Sequence, residues 1–225
     1  MRPMGGRSLS EYDATMEGFT NRTEAGRRLG EELKRFKGGD VVVYGLARGG
    51  VPVAAEVAKA LSAPLDAIIV RKLGAPRNPE LAIGAITNRG GKVLNESVAR
   101  GVGVSDSEIN ELVKREQKEI ERQEAAIRGD GDPISPEGKR AILVDDGLAT
   151  GASMRAAVRA IKAEEPASVV VAVPTASREA RKMLEDEADE VVCLMTPARF
   201  MAVGQWYRDF GQTSNDEVRA LLEAR

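Results

Sequence analysis

Apolar residues recur along the chain at two spacings, and the switches between them mark out its elements. From Asn21 the positions Ala25, Leu29, Leu33 and Phe36 follow a helical period; Asn21 and Glu24 supply a start signal and Gly38-Gly39 a stop. Val41 to Tyr44 is a short unbroken apolar run, as a buried strand requires. It leads through Gly45-Leu46-Ala47-Arg48-Gly49-Gly50 into a helix from about Pro52 to Leu61. Leu65 to Val70 reads as the next strand, with Arg71-Lys72 at its carboxyl end, and a Gly- and Pro-rich stretch follows from Gly74 to Glu80. Leu81 to Ile86 and Lys92 to Asn95, joined by a polar, glycine-containing turn, have the pattern of an antiparallel hairpin.

Ser105-x-x-Glu108 is a capping box opening a long helix to about Arg128, with Ile109, Leu112, Val113, Ile120 and Ile127 on a narrow apolar stripe. A polar loop from Gly129 to Lys139 separates it from a second alternating series. That series is a strand at Ala141 to Val144, a helix at Met154 to Glu165 stopped by Pro166, a strand at Ser168 to Val173, a helix at Ser177 to Glu185 and a strand at Val191 to Met195. Ser214-x-x-Glu217 caps a last helix that turns Val218, Leu221 and Leu222 inward. Strands alternating with helices predict an α/β fold: a mostly parallel, twisted sheet flanked by helices, since short connections between parallel strands need right-handed crossovers.

The 225 residues suit one domain spanning 1–225, at a usual ~100–200 residues per domain. With 30% charged residues and no long apolar run, no membrane partner is expected. A formal net charge of −2 offers no bulk positive field, so no nucleic-acid partner is expected either. The start, Met1 to Arg7, lacks the apolar segment of a secretory signal, and the single cysteine, Cys193, suits a reducing compartment, so a cytoplasmic location is expected. Zero histidines exclude Ser-His-Asp and Cys-His nucleophile pairs and HExxH metal sites. Chemistry has to run on carboxylates, Lys, Arg, hydroxyls, backbone amides and a hard cation such as Mg2+.

The stretch richest in chemistry is Ile142-Leu143-Val144-Asp145-Asp146-Gly147-Leu148-Ala149-Thr150-Gly151-Ala152-Ser153, an apolar strand running into two acids and then a small-residue loop that opens a helix. Backbone N–H groups at a helix N-terminus favour a phosphate, the Thr150 and Ser153 hydroxyls add donors, and adjacent carboxylates suit vicinal hydroxyls or a Mg2+-bound sugar. On this stretch the chain resembles the type I phosphoribosyltransferase family, whose signature for phosphoribosyl pyrophosphate (PRPP) is an apolar strand, paired acids and Thr-Gly-x-Ser/Thr. The resemblance implies a Rossmann-like sheet with a small hood. In it, Asp145 and Asp146 hold the ribose hydroxyls and take part in catalysis and metal contact, while Gly147, Leu148, Ala149, Thr150, Gly151, Ala152 and Ser153 bind the 5-phosphate.

Leu46-Ala47-Arg48-Gly49-Gly50 resembles the family's pyrophosphate loop, which implies that Ala47, Arg48 and Gly49 bind PRPP and that Arg48 adds catalytic charge. Arg71 and Lys72 stand where the family has basic residues facing the same crevice, Arg71 as a PRPP ligand and Lys72 as a catalytic group; a surface pair is the other reading. Residues 74–139 are expected to form a lid, hairpin and long-helix insert, of which Leu81 to Lys139 is unlike the well-known members, with a mobile loop expected from Leu73 to Gly91. Residues 196–225 form a C-terminal hood segment and helix. There, Phe200, Trp206 and Asp209 fall near the pattern of the 6-oxopurine enzymes' hood, with the Phe-to-Gly spacing one residue longer, and either face the acceptor or plug the core. The activity implied is transfer of the 5-phosphoribosyl group from PRPP to a small-molecule nitrogen acceptor, a purine-like nucleobase among the candidates. Pyrophosphate would be released and Mg2+ would be the cofactor. A non-catalytic PRPP-binding regulator is the alternative, and a homodimer is compatible with either.

Overall fold

The computed structural model of the chain describes residues 18–128 and 131–224. The start at Met1 to Arg7 and the first two residues of the 129–139 loop therefore lie outside the described residues. Seven strands form one sheet in the order β4-β3-β2-β1-β5-β6-β7: β1 (Val41–Ala47), β2 (Leu65–Ala75), β3 (Asn78–Thr87), β4 (Lys92–Leu94), β5 (Arg140–Val144), β6 (Ser168–Thr175) and β7 (Glu190–Met195). The five strands from β2 through β7 in that order pair in parallel, and β3 and β4 add an antiparallel edge. The helices are α1 (Arg22–Leu33), α2 (Gly50–Leu61), α3 (Glu96–Gly101), α4 (Asp106–Arg128), α5 (Ala152–Lys162), α6 (Arg178–Glu185) and α7 (Asn215–Glu223).

Helices cover both faces. Val41 and Val43 of β1 join a core with residues of α1, α2, α4 and α7, while Val42, Tyr44 and Leu46 join a second core with residues of α5 and α6. Alternate side chains of a strand point to opposite faces, which is why β1 must be apolar at every position rather than at every other one. Among the described residues no helix is long and apolar enough to cross a membrane.

Three elements depart from the expected pattern. The strand expected to stop at Val70 continues to Ala75, and β3 begins at Asn78, so Arg71 and Lys72 lie within β2 rather than at its end. The stretch expected as a loop from Leu73 is thus a hairpin joined to the sheet, with register shifts at Gly74. Its Gly and Pro content disguises the pairing because a bulge accommodates both residue types. The short helix α3, capped by the Asn95 side chain, has too few residues to show a period and escaped the sequence reading.

A buried ionic cluster ties the insert to the sheet near the start of β2. Asp66 is fully buried and accepts from the Ala67 N–H at 2.7 Å, the Ile134 N–H at 2.9 Å and Arg128 at 2.5 Å, with Arg89 at 3.6 Å. Arg89 in turn reaches both carboxylate oxygens of Glu164 at 2.7 Å and lies over the Tyr44 ring. Strand, hairpin, long helix and following loop therefore converge on one carboxylate.

Candidate active site

The sheet order reverses beside β1: β2 leaves on one side and β5 on the other. Ligands of open α/β sheets bind at such a switch point, outside the carboxyl ends of the strands, because the two connections diverge there and leave a crevice. In this chain those ends carry Ala47-Arg48-Gly49 after β1 and Asp145-Asp146 after β5, and both line a cavity of about 350 Å³. Ser153, in the first turn of α5, lines it as well. The peptide between Ala47 and Arg48 is cis. Gly49 packs directly against the Asp146 carboxylate, where a Cβ would collide with it.

Burial pushes the Asp145 carboxyl well above the usual carboxylate range, and the like charge of Asp146 adds to it. Asp146 is raised by burial too, with Arg22 opposing the rise. Arg22 opens α1; its Nε donates to Asp146 Oδ2 at 2.8 Å, its Nη1 to the Gly211 carbonyl at 2.6 Å, and its guanidinium lies 4.0 Å from the centre of the Phe210 ring. One side chain thus pins the acidic pair to the C-terminal segment. The Tyr207 hydroxyl adds a second link, donating to the Asp146 carbonyl at 2.6 Å.

The loop after the acids is only partly free. The Leu148 N–H donates to the Thr175 carbonyl at 2.9 Å, and its side chain sits in the core. Leu148, expected among the phosphate ligands, therefore anchors the loop, and its amide is already engaged. Gly147 lies against Val203 and Thr175 and is likewise packed. Ala149, Thr150, Ala152 and Ser153 are exposed, and Gly151 turns the chain with φ of +73°, a backbone conformation that favours glycine. No side chain caps α5, and its Ala152 N–H reaches only the Thr150 hydroxyl, at 3.5 Å. Its first turn keeps amide donors for an anion.

The remaining expected residues fall elsewhere. Arg71 and Lys72 line a neighbouring cavity rather than that of Asp145, and Arg71 pairs with Glu116 at 2.9 Å. Phe200 and Trp206 stack on each other with ring centres 6.4 Å apart and do not line the cavity. Asp209 donates its N–H to the Thr20 carbonyl, helping join the C-terminal segment to residues 19–20, and does not line the cavity either. The wall residues from this segment are Phe210, Gln212 and Thr213. Sequence reading missed Arg22, Gln212 and Thr213 as site residues, because nothing local distinguishes a helix-opening arginine or two polar residues before a capping box. Phe210 reaches the wall because hydrogen bonds of its segment to Phe19 and Thr20 set its register.

Among the described residues no three acidic, histidine or cysteine side chains gather into a protein-only metal cage. Mg2+ does not need one: it is commonly held by one or two carboxylates together with waters and substrate phosphates, and Asp145-Asp146 meet that requirement.

Arg22→Gln is expected to weaken ligand binding in this cavity about tenfold, roughly 1.4 kcal/mol, by freeing the Asp146 side chain. It should also speed amide exchange in residues 207–213, which Arg22 pins. Unchanged exchange there, measured by mass spectrometry, would refute the pinning.

The fold is a doubly wound α/β domain with a crevice at its switch point. A family model described as the phosphoribosyl transferase domain matches residues 16–205. Sequences from two strains of Mycobacterium tuberculosis, each provisionally named a phosphoribosyl transferase, are 48% identical over 208 residues, covering 92% of this chain and 47% of theirs. This chain spans about half the length of those curated relatives. The crystal structure of TT1426 from Thermus thermophilus is 42% identical, covers 91% of this chain and 97% of its own, and superposes with a TM-score of 0.79. The chain belongs to the phosphoribosyl transferase domain family.

Proposed function

We propose that the chain is a phosphoribosyltransferase: it binds PRPP with Mg2+ and transfers the phosphoribosyl group to a nitrogen acceptor, releasing pyrophosphate. The observation that carries this reading is a cavity in which two half-buried carboxylates meet the first turn of an uncapped helix and the Arg48 loop. Asp145 and Asp146 accept from the ribose hydroxyls. The first turn of α5, with the Thr150 and Ser153 hydroxyls, takes the 5-phosphate. The diphosphate lies by Ala47, Arg48 and Gly49; the Arg48 side chain is exposed and makes no ion pair with any described residue.

The bond from C1 to the diphosphate oxygen breaks with its electron pair leaving on the diphosphate, and the acceptor nitrogen closes on C1 from the other side and sheds its proton. Positive charge builds on the ribose ring between these events. Two carboxylates already held beneath the ring stabilise it without reorganising, and the guanidinium of Arg48 offsets the charge on the leaving group. Mg2+, when bound, neutralises the diphosphate oxygens. No histidine is required, in keeping with a chain that has none. The same reading places the protein in the cytoplasm, where the lone thiol Cys193 stays reduced.

PRPP with Mg2+ at a hundredfold excess over Kd is expected to stabilise the protein by about 2.7 kcal/mol, since a ligand bound only by the folded state acts by mass action. Thermal denaturation reads this directly. No shift at millimolar PRPP would overturn the assignment, and binding without pyrophosphate release across a broad acceptor panel would reassign the protein as a PRPP-responsive regulator.

A further inference from the structure

β1 ends at Ala47, opposite Ile69, whereas β2 runs on to Ala75. From Val70 onward β2 stands beyond its neighbour, and the helix of the insert, α4, packs against it with Leu112 and Glu116. A second cavity of about 360 Å³ lies between them. Val70 lines both this cavity and that of Asp145, so the two adjoin across one side chain. The volume falls within the range of about 300–1,000 Å³ usual for small-molecule sites.

The walls of the second cavity carry a set charge arrangement. Glu116 is buried, 8% exposed, and both its oxygens are engaged: Arg71 donates to Oε2 through Nε at 3.1 Å and Nη2 at 2.9 Å, and Arg115 approaches Oε1 through Nε at 3.1 Å. One carboxylate can offset only one of two guanidiniums. The side chains of Arg71 and Arg115 keep 40% and 66% of their surface exposed, and each guanidinium has five N–H donors, more than Glu116 can accept. A buried carboxylate that orients two arginines and leaves a positive charge over is an arrangement for a planar or tetrahedral oxyanion.

We propose that this cavity receives an anionic group of the acceptor, a carboxylate or a phosphate ester, whose nitrogen nucleophile reaches past Val70 to C1 of the ribose. The proposal rests on the reading of the first cavity as the PRPP site and gives the insert a role: it builds the acceptor compartment. The C1–O bond to the diphosphate breaks, the C1–N bond forms, and the proton on nitrogen passes to solvent. The anionic group takes no part in the chemistry; Arg71 and Arg115 set specificity.

Compounds paired by the presence or absence of the anionic group provide the test: imidazole-4-carboxylate against imidazole-4-carboxamide, 3-aminobenzoate against 3-aminobenzamide, and 2-aminoethyl phosphate against 2-aminoethanol. Pyrophosphate release is measured with PRPP and Mg2+, and binding to the PRPP-saturated protein by calorimetry. The charged member of at least one pair is expected to be favoured tenfold or more, in kcat/KM or in Kd, with the carboxylate and phosphate arms showing which oxyanion the cavity prefers. Arg115→Gln, at an exposed position where folding is expected to survive, should remove most of that preference. Equal or reversed preference in every pair would overturn the proposal, as would a preference that Arg115→Gln leaves intact. A loss of PRPP affinity in Arg115→Gln with no change in preference would assign the cavity to the diphosphate and also overturn it. If PRPP itself does not bind, the functional reading fails separately. Calorimetry on the free protein then decides the cavity: binding that favours the charged members and is lost in Arg115→Gln supports the anion site, and its absence refutes it.

Discussion

Asp145→Asn is expected to raise the melting temperature of the free protein while abolishing the shift produced by PRPP with Mg2+. Burial and the neighbouring Asp146 charge push the Asp145 carboxyl up, so the folded state holds this proton more tightly than the unfolded chain. The stability of the free protein therefore falls as pH rises from the ordinary carboxyl range, about 3.9, through the raised folded value. An amide has no proton to lose and no charge to bury. The variant should gain about 1 kcal/mol at neutral pH, or about 2–4 °C for a domain of this size, and lose that pH slope. The ligand-induced gain of about 2.7 kcal/mol should vanish.

Asp146→Asn is the contrasting case. Its carboxylate is the counter-charge of a nearly buried Arg22, so the amide leaves that guanidinium without a full partner. The expected result is lost binding without the full stability gain of Asp145→Asn, because the unpartnered Arg22 opposes the relief of no longer burying a carboxylate. Calorimetry across pH separates the two variants. A destabilised Asp145→Asn would show that Asp145 is a structural group rather than one held at a cost in stability for binding.

Asp66→Ala is expected to destabilise the protein by about 3–5 kcal/mol without altering the cavity of Asp145 directly. Removing one member of a buried ionic cluster leaves the others charged and out of water, which costs more than the pair contributed. Arg89 and Arg128, whose side chains are only 6% and 5% exposed, would both lose a carboxylate, and the Ile134 N–H would lose its acceptor. Chemical denaturation measures the loss. Because Asp66 joins the 74–139 insert to the sheet, amide exchange in α4 should rise more than in α1. A cost below about 1 kcal/mol would show that water reaches the cluster.

The α/β alternation was legible because each element announces itself locally: Val41 to Tyr44 is apolar throughout, and α4 carries a capping box and a helical stripe. The PRPP-like stretch was legible for the same reason, since strand, acids, turn and helix start are contiguous from Ile142 to Ser153. The length of β2 was not, because its continuation through Gly74 exists only by pairing with β3, and glycine and proline mark a loop until a partner strand supplies the bulge.

The chain by itself determined the parts whose partners lie within a turn or a strand's length: the periods, the caps and the run of amides after Asp146. Tertiary structure alone decided what those parts face. Arg22 meets Asp146 across 124 positions, Asp66 meets Arg128 across 62, and Phe210 rather than Phe200 reaches the cavity because its segment pairs with Phe19 and Thr20. Local patterns record which faces are apolar and where donors are left over. Which distant charge fills a given site depends on how the layers stack, and that is set by the summed packing of the whole core, a quantity no short window of sequence contains.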